Sequence, residues 1–282
     1  MAERLRTGRK HGRRDSIVVL AEGAHDRDGN YIGSTDVQQA LEERLQEDVR
    51  ITVLGHVQRG GSPSAYDRTL GTLMGYEAVQ TMLNTNPEDE PVVIGIRDNH
   101  ITHLPLLQSI QSTHAVAEAI KAKDYERAMS LRSSSFTDVF RTLKTMGRAF
   151  PHPLDPEQKR LRIAVVHAGS PAPGMNTAVR AAVRLGLDKG HIMLGVRNGF
   201  NGFANGEVEE MDWMSISGWT AQGGSLLGTN RRIPKGSDLY AIARVIEDQK
   251  IDAILIIGGW SAYQGARILL ENRANYPAFK LP

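Results

Sequence analysis

The chain has no cysteine in its 282 residues, which excludes disulfides, a thiolate metal site and a cysteine nucleophile, and fits a reducing compartment. It also lacks a long apolar run. The longest stretches, such as Ala253 to Ile257, are strand-sized and far short of the roughly 18 residues a membrane-spanning helix needs, so no transmembrane helix is expected. The start carries no apolar signal-peptide core. Charge of one sign is not in excess, because 34 Lys+Arg meet 32 Asp+Glu. The nine His residues show no HxxxH or HxH metal spacing and are expected to be solvated or hydrogen-bonded. What is present is ordinary: 40% hydrophobic and 23% charged residues, enough for one large domain or two small ones and unlike a disordered or fibrous chain.

The basic residues are unevenly spread. Arg4, Arg6, Arg9, Lys10, Arg13 and Arg14 fall within the first fourteen residues, with Glu3 as the single acid. Such a run either contacts nucleic acid or forms a solvated helix or a frayed terminus leading into the first strand. No aromatic stacking platform accompanies it, so a nucleic-acid partner is not expected.

Short apolar runs alternate with amphipathic stretches, the pattern of an α/β protein whose parallel sheet is built from βαβ units. Ile17 to Ala21 reads as a strand ending in Glu22-Gly23, and Ile51 to Leu54 as another ending in Gly55-His56. Both place polar groups at a strand's carboxyl edge, where ligands bind in open α/β sheets. Between them Val37, Ala40, Leu41 and Leu45 follow helical spacing after Ser34 or Thr35 as N-cap. A helix over Asp67 to Leu83 precedes a strand over Val92 to Ile96, and helical segments follow at Leu106 to Ala122 and Asp124 to Leu131. From Lys144 to Arg160 the pattern dissolves into Gly147, Pro151, Pro153 and Pro156, which reads as a connecting segment with a boundary near 155. Periodicity then restarts with strands Ile163 to Val166, Ile192 to Val196 and Ala253 to Ile257, and helices over Met175 to Leu187, Leu239 to Asp248 and Ala262 to Arg273. The chain ends where another sheet strand is expected, so the units read as incomplete.

Four segments carry the chemistry. Arg50 to Pro63 places Arg50, His56 and Arg59 around one sheet edge. Arg offers a planar fork to a phosphoryl group and glycines admit close backbone N–H approach, although an Arg near a carboxylate is the structural alternative. Gly169-Ser-Pro-Ala-Pro-Gly174-Met-Asn176 joins a strand to a helix start, which attracts phosphate. It is neither a GxGxxG fingerprint nor a P-loop, and a simple tight turn reads equally well. Gly223 to Gly228 leads to Arg231, as a phosphate contact or a capping charge. Gly258-Gly-Trp260-Ser-Ala-Tyr263 closes the strongest strand without the carboxylate a magnesium-nucleotide site wants, and Trp260 and Tyr263 read as packing residues.

Taken together, AEGA at 21 to 24, RITVLGHVQRGGSPSAYDR at 50 to 68, APGMN at 172 to 176, GGSLLGTNR at 223 to 231 and IIGGWSAY at 256 to 263 resemble the ATP-dependent 6-phosphofructokinases of the eukaryotic, duplicated kind. The resemblance implies phosphofructokinase-like units with a helical connecting segment: 1–143 as the C-terminal portion of a catalytic first half, 144–160 as a linker, and 161–282 as the truncated N-terminal portion of a regulatory second half. It implies that Glu22 contacts the sugar hydroxyls of fructose 6-phosphate and that His56 and Arg59 contact its 6-phosphate. Arg50 falls on an Arg that the family contributes to a partner subunit's site, and Arg231 on one that contacts the activator fructose 2,6-bisphosphate. It further implies Mg2+ and ATP as cofactors of the intact parent, homo- or hetero-oligomeric subunits, a cytoplasmic setting and no membrane. The family's GGDGS and TIDND motifs, which hold magnesium and the catalytic base, are missing from these residues. On the resemblance no catalytic or metal-binding residue is expected here, and the chain by itself is expected to be inactive. Two rival readings stand beside it: a non-catalytic sugar-phosphate-binding regulatory module, and a nucleotide-binding oxidoreductase, which the lack of GxGxxG disfavours.

Overall fold

The strand Arg162–Ala168 organises the better-packed part of the molecule, as seen in a computed structural model that describes residues 1–13, 15–97 and 100–282. The chain divides into two units, Met1–Leu143 and Lys144–Pro282. The first contains helices α1 (Ala2–Lys10), α2 (Ser34–Leu45) and α3 (Ala65–Asn84), the antiparallel hairpin of β1 (Val92–Arg97) and β2 (His100–Pro105), and helices α4 (Leu106–Lys121), α5 (Tyr125–Ser130) and α6 (Ser134–Met146). The second runs β3 (Arg162–Ala168), α7 (Met175–Asp188), β4 (Ile192–Val196), α8 (Gly199–Ala204), β5 (Val208–Met211), α9 (Ser237–Asp248), β6 (Ala253–Gly258) and α10 (Trp260–Glu271).

The second unit's sheet has the order β5-β4-β3-β6, with β4 and β6 parallel to β3 and β5 antiparallel at one edge. The α/β architecture is as expected; the antiparallel edge strand and α8 are additions that their short, polar-interrupted sequences did not announce. Alternation along β3 divides the core in two. Ala164, Val166 and Ala168 face Phe200, Phe203, Ile242, Ile246 and Leu269, on the side of α8, α9 and α10. Val165 faces Val179 and Val183 of α7 together with Met193, Met211, Ile216 and Leu227. The apolar residues of α7 recur at three- and four-residue steps, so one stripe of the helix is buried on the sheet.

The connecting segment is docked in the second unit. Asp188, at the last position of α7, meets Arg148 Nε at 3.3 Å and His152 Nδ1 at 2.9 Å, and accepts the His152 backbone N–H at 3.1 Å. Gln158 and Arg160 donate to the Lys189 and Gly190 carbonyls at 2.5 and 3.0 Å. These bonds satisfy carbonyls that the end of a helix leaves without partners.

The first unit is held differently. The basic N-terminal run forms α1, tied to α2 and its following turn by Arg9–Glu47 at 2.7 Å and by Arg6 donating to the Arg44 carbonyl at 2.6 Å; Arg14 lies outside the described residues. Ala2, Leu41, Ala119 and Ala128 are its buried apolar residues. Two expected strands are not strands. Ile17 to Ala21 and Ile51 to Leu54 have no regular structure, and Ile17, Val19 and Val53 are exposed. A strand exists through its ladder, and among the described residues neither run has one. The strand expected over Val92 to Ile96 is present, and its partner β2 lies just past Asp98 and Asn99, which are outside the described residues. Helix α2 begins at Ser34 with Gly33 as its N-cap, where the Gly33 N–H donates to Asp36.

His167 is the buried polar residue of β3, with Nδ1 2.6 Å from Ser225 Oγ. Burial holds its imidazole below the ordinary value of 6.5. The folded protein therefore favours neutral His167, so this contribution is present above pH 6.5 and is lost as pH falls below the unfolded value. Stability of the second unit should fall as the pH drops below 6.5, with a slope from this group of at most about 1.4 kcal/mol per pH unit. Calorimetric unfolding of His167→Asn across that range should show a shallower pH slope than the wild-type chain.

Candidate functional site

The β3 and β6 carboxyl ends open onto a cavity of about 710 Å3 lined by Gly169, Ser170, Met175, Arg231, Gly259 and Trp260 among others. Two helices begin at this cavity, α7 after Gly174 and α10 after Gly259, and neither N-cap residue supplies a side-chain hydrogen bond. First-turn N–H groups and the positive ends of both helix dipoles thus meet one concave surface. Gly258 suits this junction because a Cβ there would run into the Ala168 carbonyl.

Arg231 enters from the segment that follows the glycine loop. Its Nε donates to Ser170 Oγ at 2.9 Å, and no carboxylate among the described residues pairs with it. Arg232 is different. It bonds Asp238 at 2.8 Å and Asn201 at 3.1 Å, so it is not a second free charge for the cavity. Among the described residues, no carboxylate lines the cavity. The set therefore suits an anion, with a guanidinium fork and backbone amides as donors. It does not suit Mg2+, which needs carboxylate oxygens, and no group of three or more potential metal ligands occurs among the described residues.

What positions Arg231 is a buried clamp on the loop before it. Asn176, fully buried in the first turn of α7, donates from Nδ2 to the Gln222 and Gly223 carbonyls at 2.9 and 3.2 Å and accepts from the Leu226 N–H at 2.7 Å. His167 holds Ser225 from below. Gly228, at φ +76°, leaves no room for a Cβ beside Asn198. Beyond it the Gly169 N–H donates to the Asn230 carbonyl at 2.8 Å and Thr229 Oγ1 donates to the Gly169 carbonyl at 2.9 Å. The loop thus continues the sheet edge as a fixed ledge, and Arg231 stands at its end. Asn176 belongs to the APGMN segment, but only the fold shows that its side chain turns inward to the loop. The sequence signal was a polar residue at helical spacing from the apolar Val179 and Val183.

Trp260 and Tyr263, expected to pack, are 73% and 71% exposed, with Trp260 at the cavity mouth. They occupy the first turn of α10 on a face that no element of the second unit covers.

The other candidates lie in the first unit. His56 and Arg59 share a 3₁₀ turn, Gly55–Arg59, whose three-residue period puts i and i+3 on one face. Glu22 sits in a turn and is exposed. Arg50 is exposed and only grazes Asp48 at 3.4 Å. None of these four lines the 710 Å3 cavity or the 410 Å3 cavity between α3 and the hairpin. The structure places His56 and Arg59 on one short turn; it does not gather Glu22 and Arg50 with them into a cavity.

An α/β unit with a cation-bearing cleft at the carboxyl ends of its parallel strands belongs to the class whose clefts suit anionic ligands. Comparison with known proteins narrows the class: the phosphofructokinase family model matches residues 1–82 and 162–282, and the chain belongs to that family. It is 43% identical to an ATP-dependent 6-phosphofructokinase of Aspergillus fumigatus over 97% of its own length and 42% identical to the human liver type over 98%. It is likewise 42% identical to the beta subunit of the Saccharomyces cerevisiae enzyme. The solved structure of Saccharomyces cerevisiae phosphofructokinase superposes with a TM-score of 0.92 at 40% identity, covering 100% of this chain and 37% of that one. The chain spans 35% of the length of the first two relatives.

Asn176→Ala should take the side-chain partner from the Gln222 and Gly223 carbonyls and the Leu226 N–H, at a cost of roughly 1 to 3 kcal/mol. Denaturant unfolding followed by circular dichroism should show this loss. Asn176→Asp, which keeps the acceptor for Leu226 but removes both donors, should also lose stability.

Proposed function

We propose that this chain is part of an ATP-dependent 6-phosphofructokinase, whose intact form moves the γ-phosphoryl of MgATP to fructose 6-phosphate in the cytoplasm. In this reading the second unit is regulatory: its cavity binds fructose 2,6-bisphosphate without transforming it. The observation that carries the proposal is Arg231, paired with no acid among the described residues, on a cavity that no described carboxylate lines and where two helices begin. A bisphosphate meets there a fork-shaped cation and backbone donors, while no carboxylate stands ready to hold magnesium or take a proton. Glu22, His56 and Arg59 serve the fructose 6-phosphate site of the first unit, His56 and Arg59 through their common face, and Arg50 serves the corresponding site of a partner subunit. The exposure of all four supports a site completed by polypeptide beyond these residues. The beta-subunit relative supports an oligomer, homomeric or heteromeric.

No helix among the described residues is long and apolar enough to cross a membrane. Isolated, the chain is expected not to phosphorylate fructose 6-phosphate, since loss of a proton-transfer residue alone costs on the order of 10² to 10⁴ in rate.

Calorimetric titration tests the regulatory reading. Fructose 2,6-bisphosphate should bind the chain, while MgATP and NAD should bind far more weakly. Arg231→Ala should weaken the bisphosphate about ten- to a hundredfold, the worth of a charge-assisted contact. Undiminished binding by a folded Arg231→Ala chain would remove the assignment.

A further inference from the structure

Helix α7 supplies neither of the charges that its own dipole favours. Its first turn holds no acid and its last turn no base, and its final residue is the buried acid Asp188. Negative charge is stabilising at a helix N-terminus and unfavourable at a C-terminus, so both ends of α7 depend on groups brought from elsewhere. At the C-terminal end the connecting segment brings them. At the N-terminal end lies the cavity, with Gly174 and Met175 in its lining.

The connecting segment reads α7 along one face. Arg180, Arg184 and Asp188 stand four residues apart, the spacing of neighbours on a helix surface. Arg180 donates from Nη2 to the Met146 carbonyl at 3.4 Å, and Arg184 from Nη1 to the Arg148 carbonyl at 3.0 Å. A single oxygen of Asp188, Oδ1, gathers Arg148 Nε, His152 Nδ1 and the His152 backbone N–H. The attachment is mainly polar. From His152 to Arg160 the segment is exposed and forms no helix or strand, and Pro151, Pro153 and Pro156 have no N–H with which to hold it. Few buried apolar contacts and solvent-exposed hydrogen bonds are the marks of a segment that opens while the rest stays folded.

We propose that residues 146–160 form a detachable strap on α7, and that the docked strap and an anion in the cavity favour each other. This inference rests on the reading of the cavity as an anion site. Helix α7 has 14 residues, about 21 Å of rigid rod. Asn176 ties its first turn to the glycine-rich loop, and Asp188 ties its last turn to the strap. With the strap released, Asp188 is left as an uncompensated charge, and the Lys189 and Gly190 carbonyls lose their bonds from Gln158 and Arg160. The helix that offers its first N–H groups to the cavity is then less firmly held. A ligand shifts an equilibrium only through unequal affinity for its two states, and the difference in how firmly α7 is held supplies that inequality. Linkage makes the effect reciprocal. Residues 144–160 join the two units along the chain, so occupancy of the cavity sets the length of free chain between them.

Hydrogen exchange and calorimetry on the full chain test the strap, with fructose 2,6-bisphosphate as one probe and sulfate as the other. A saturating probe should slow exchange of the His152 amide at least about fivefold, the lower end of coupling between linked sites. Asp188→Asn keeps the shape of the side chain and removes its charge. It should speed His152 exchange and weaken the probe, by up to the factor by which the probe slows exchange in the unaltered chain. Arg148→Gln, changed on the strap side, should do the same and serves if Asp188→Asn does not fold. The Val165 amide of the buried strand exchanges through global opening; slowing of Val165 and His152 by one common factor is general stabilisation by ligand and overturns the strap. Bisphosphate binding with His152 exchange unchanged, or affinity untouched by both variants, overturns the strap and leaves the anion site standing. Sulfate that binds and protects His152 where the bisphosphate does not bind supports the strap and removes the bisphosphate assignment. If neither anion binds, the anion site and the coupling built on it both fall.

Discussion

The complete burial of β3 is the constraint from which the second unit follows. Five consecutive residues, Ala164 to Ala168, are excluded from water, and this requires a strand on each side and helices on each face. Their alternation assigns Phe200 and Ile242 to one layer and Val179 and Val183 to the other. It also forces His167 into the interior, where a neutral imidazole with a hydroxyl partner is tolerated and a charged one is costly. The buried histidine is thus a product of register: a polar residue one position away would have fallen on the opposite face, among the side chains of α8 and α9.

From that strand the cavity is built outward with little freedom left. Asn176 spends both of its amide donors and one acceptor site on the backbone of residues 222–226, so the glycine-rich loop is held by a side chain from another element as well as allowed by its own composition. Glycines allow the path, and asparagine selects it. Arg231 inherits a defined position, while its neighbour Arg232 is neutralised by Asp238. Two adjacent arginines of equal sequence appearance therefore have unequal roles, one holding the loop to α9 and one facing the cleft. The Ser170 contact at 2.9 Å engages only Nε of Arg231, which leaves the forked end of the guanidinium as the part suited to an anion.

Legibility in the sequence followed the completeness of each packing unit. In the second unit the expected strands at 163, 192 and 253 and the helices at 175 and 239 appear within a few residues of their expected bounds, because their apolar periodicity matches neighbours that are present. In the first unit the equally apolar runs at 17 and 51 gave the same signal and no strand, since periodicity reports what a segment is fit to bury against and not whether that partner is at hand. Trp260 and Tyr263 failed for a related reason: large aromatic residues next to a buried strand suggest packing, yet the first turn of α10 points them outward. The site was readable as motifs, GGSLLGTNR and APGMN, but the bonds that join them are nearly fifty residues apart in sequence and leave no local periodic trace.

The placement of the tryptophans gives the molecule an optical asymmetry. All three, Trp213, Trp219 and Trp260, lie in the second unit. Trp213 is buried with the Arg184 guanidinium stacked 4.0 Å from its ring centre, and Trp219 is buried in the α7 layer, while Trp260 stands open at the cavity mouth. Indole emission consequently says nothing about the first unit and divides, within the second, into a shorter-wavelength part from the core and a longer-wavelength part from the cleft. Quenching by a dissolved ion reaches the cleft component first, so the cavity can be watched separately from the fold that supports it.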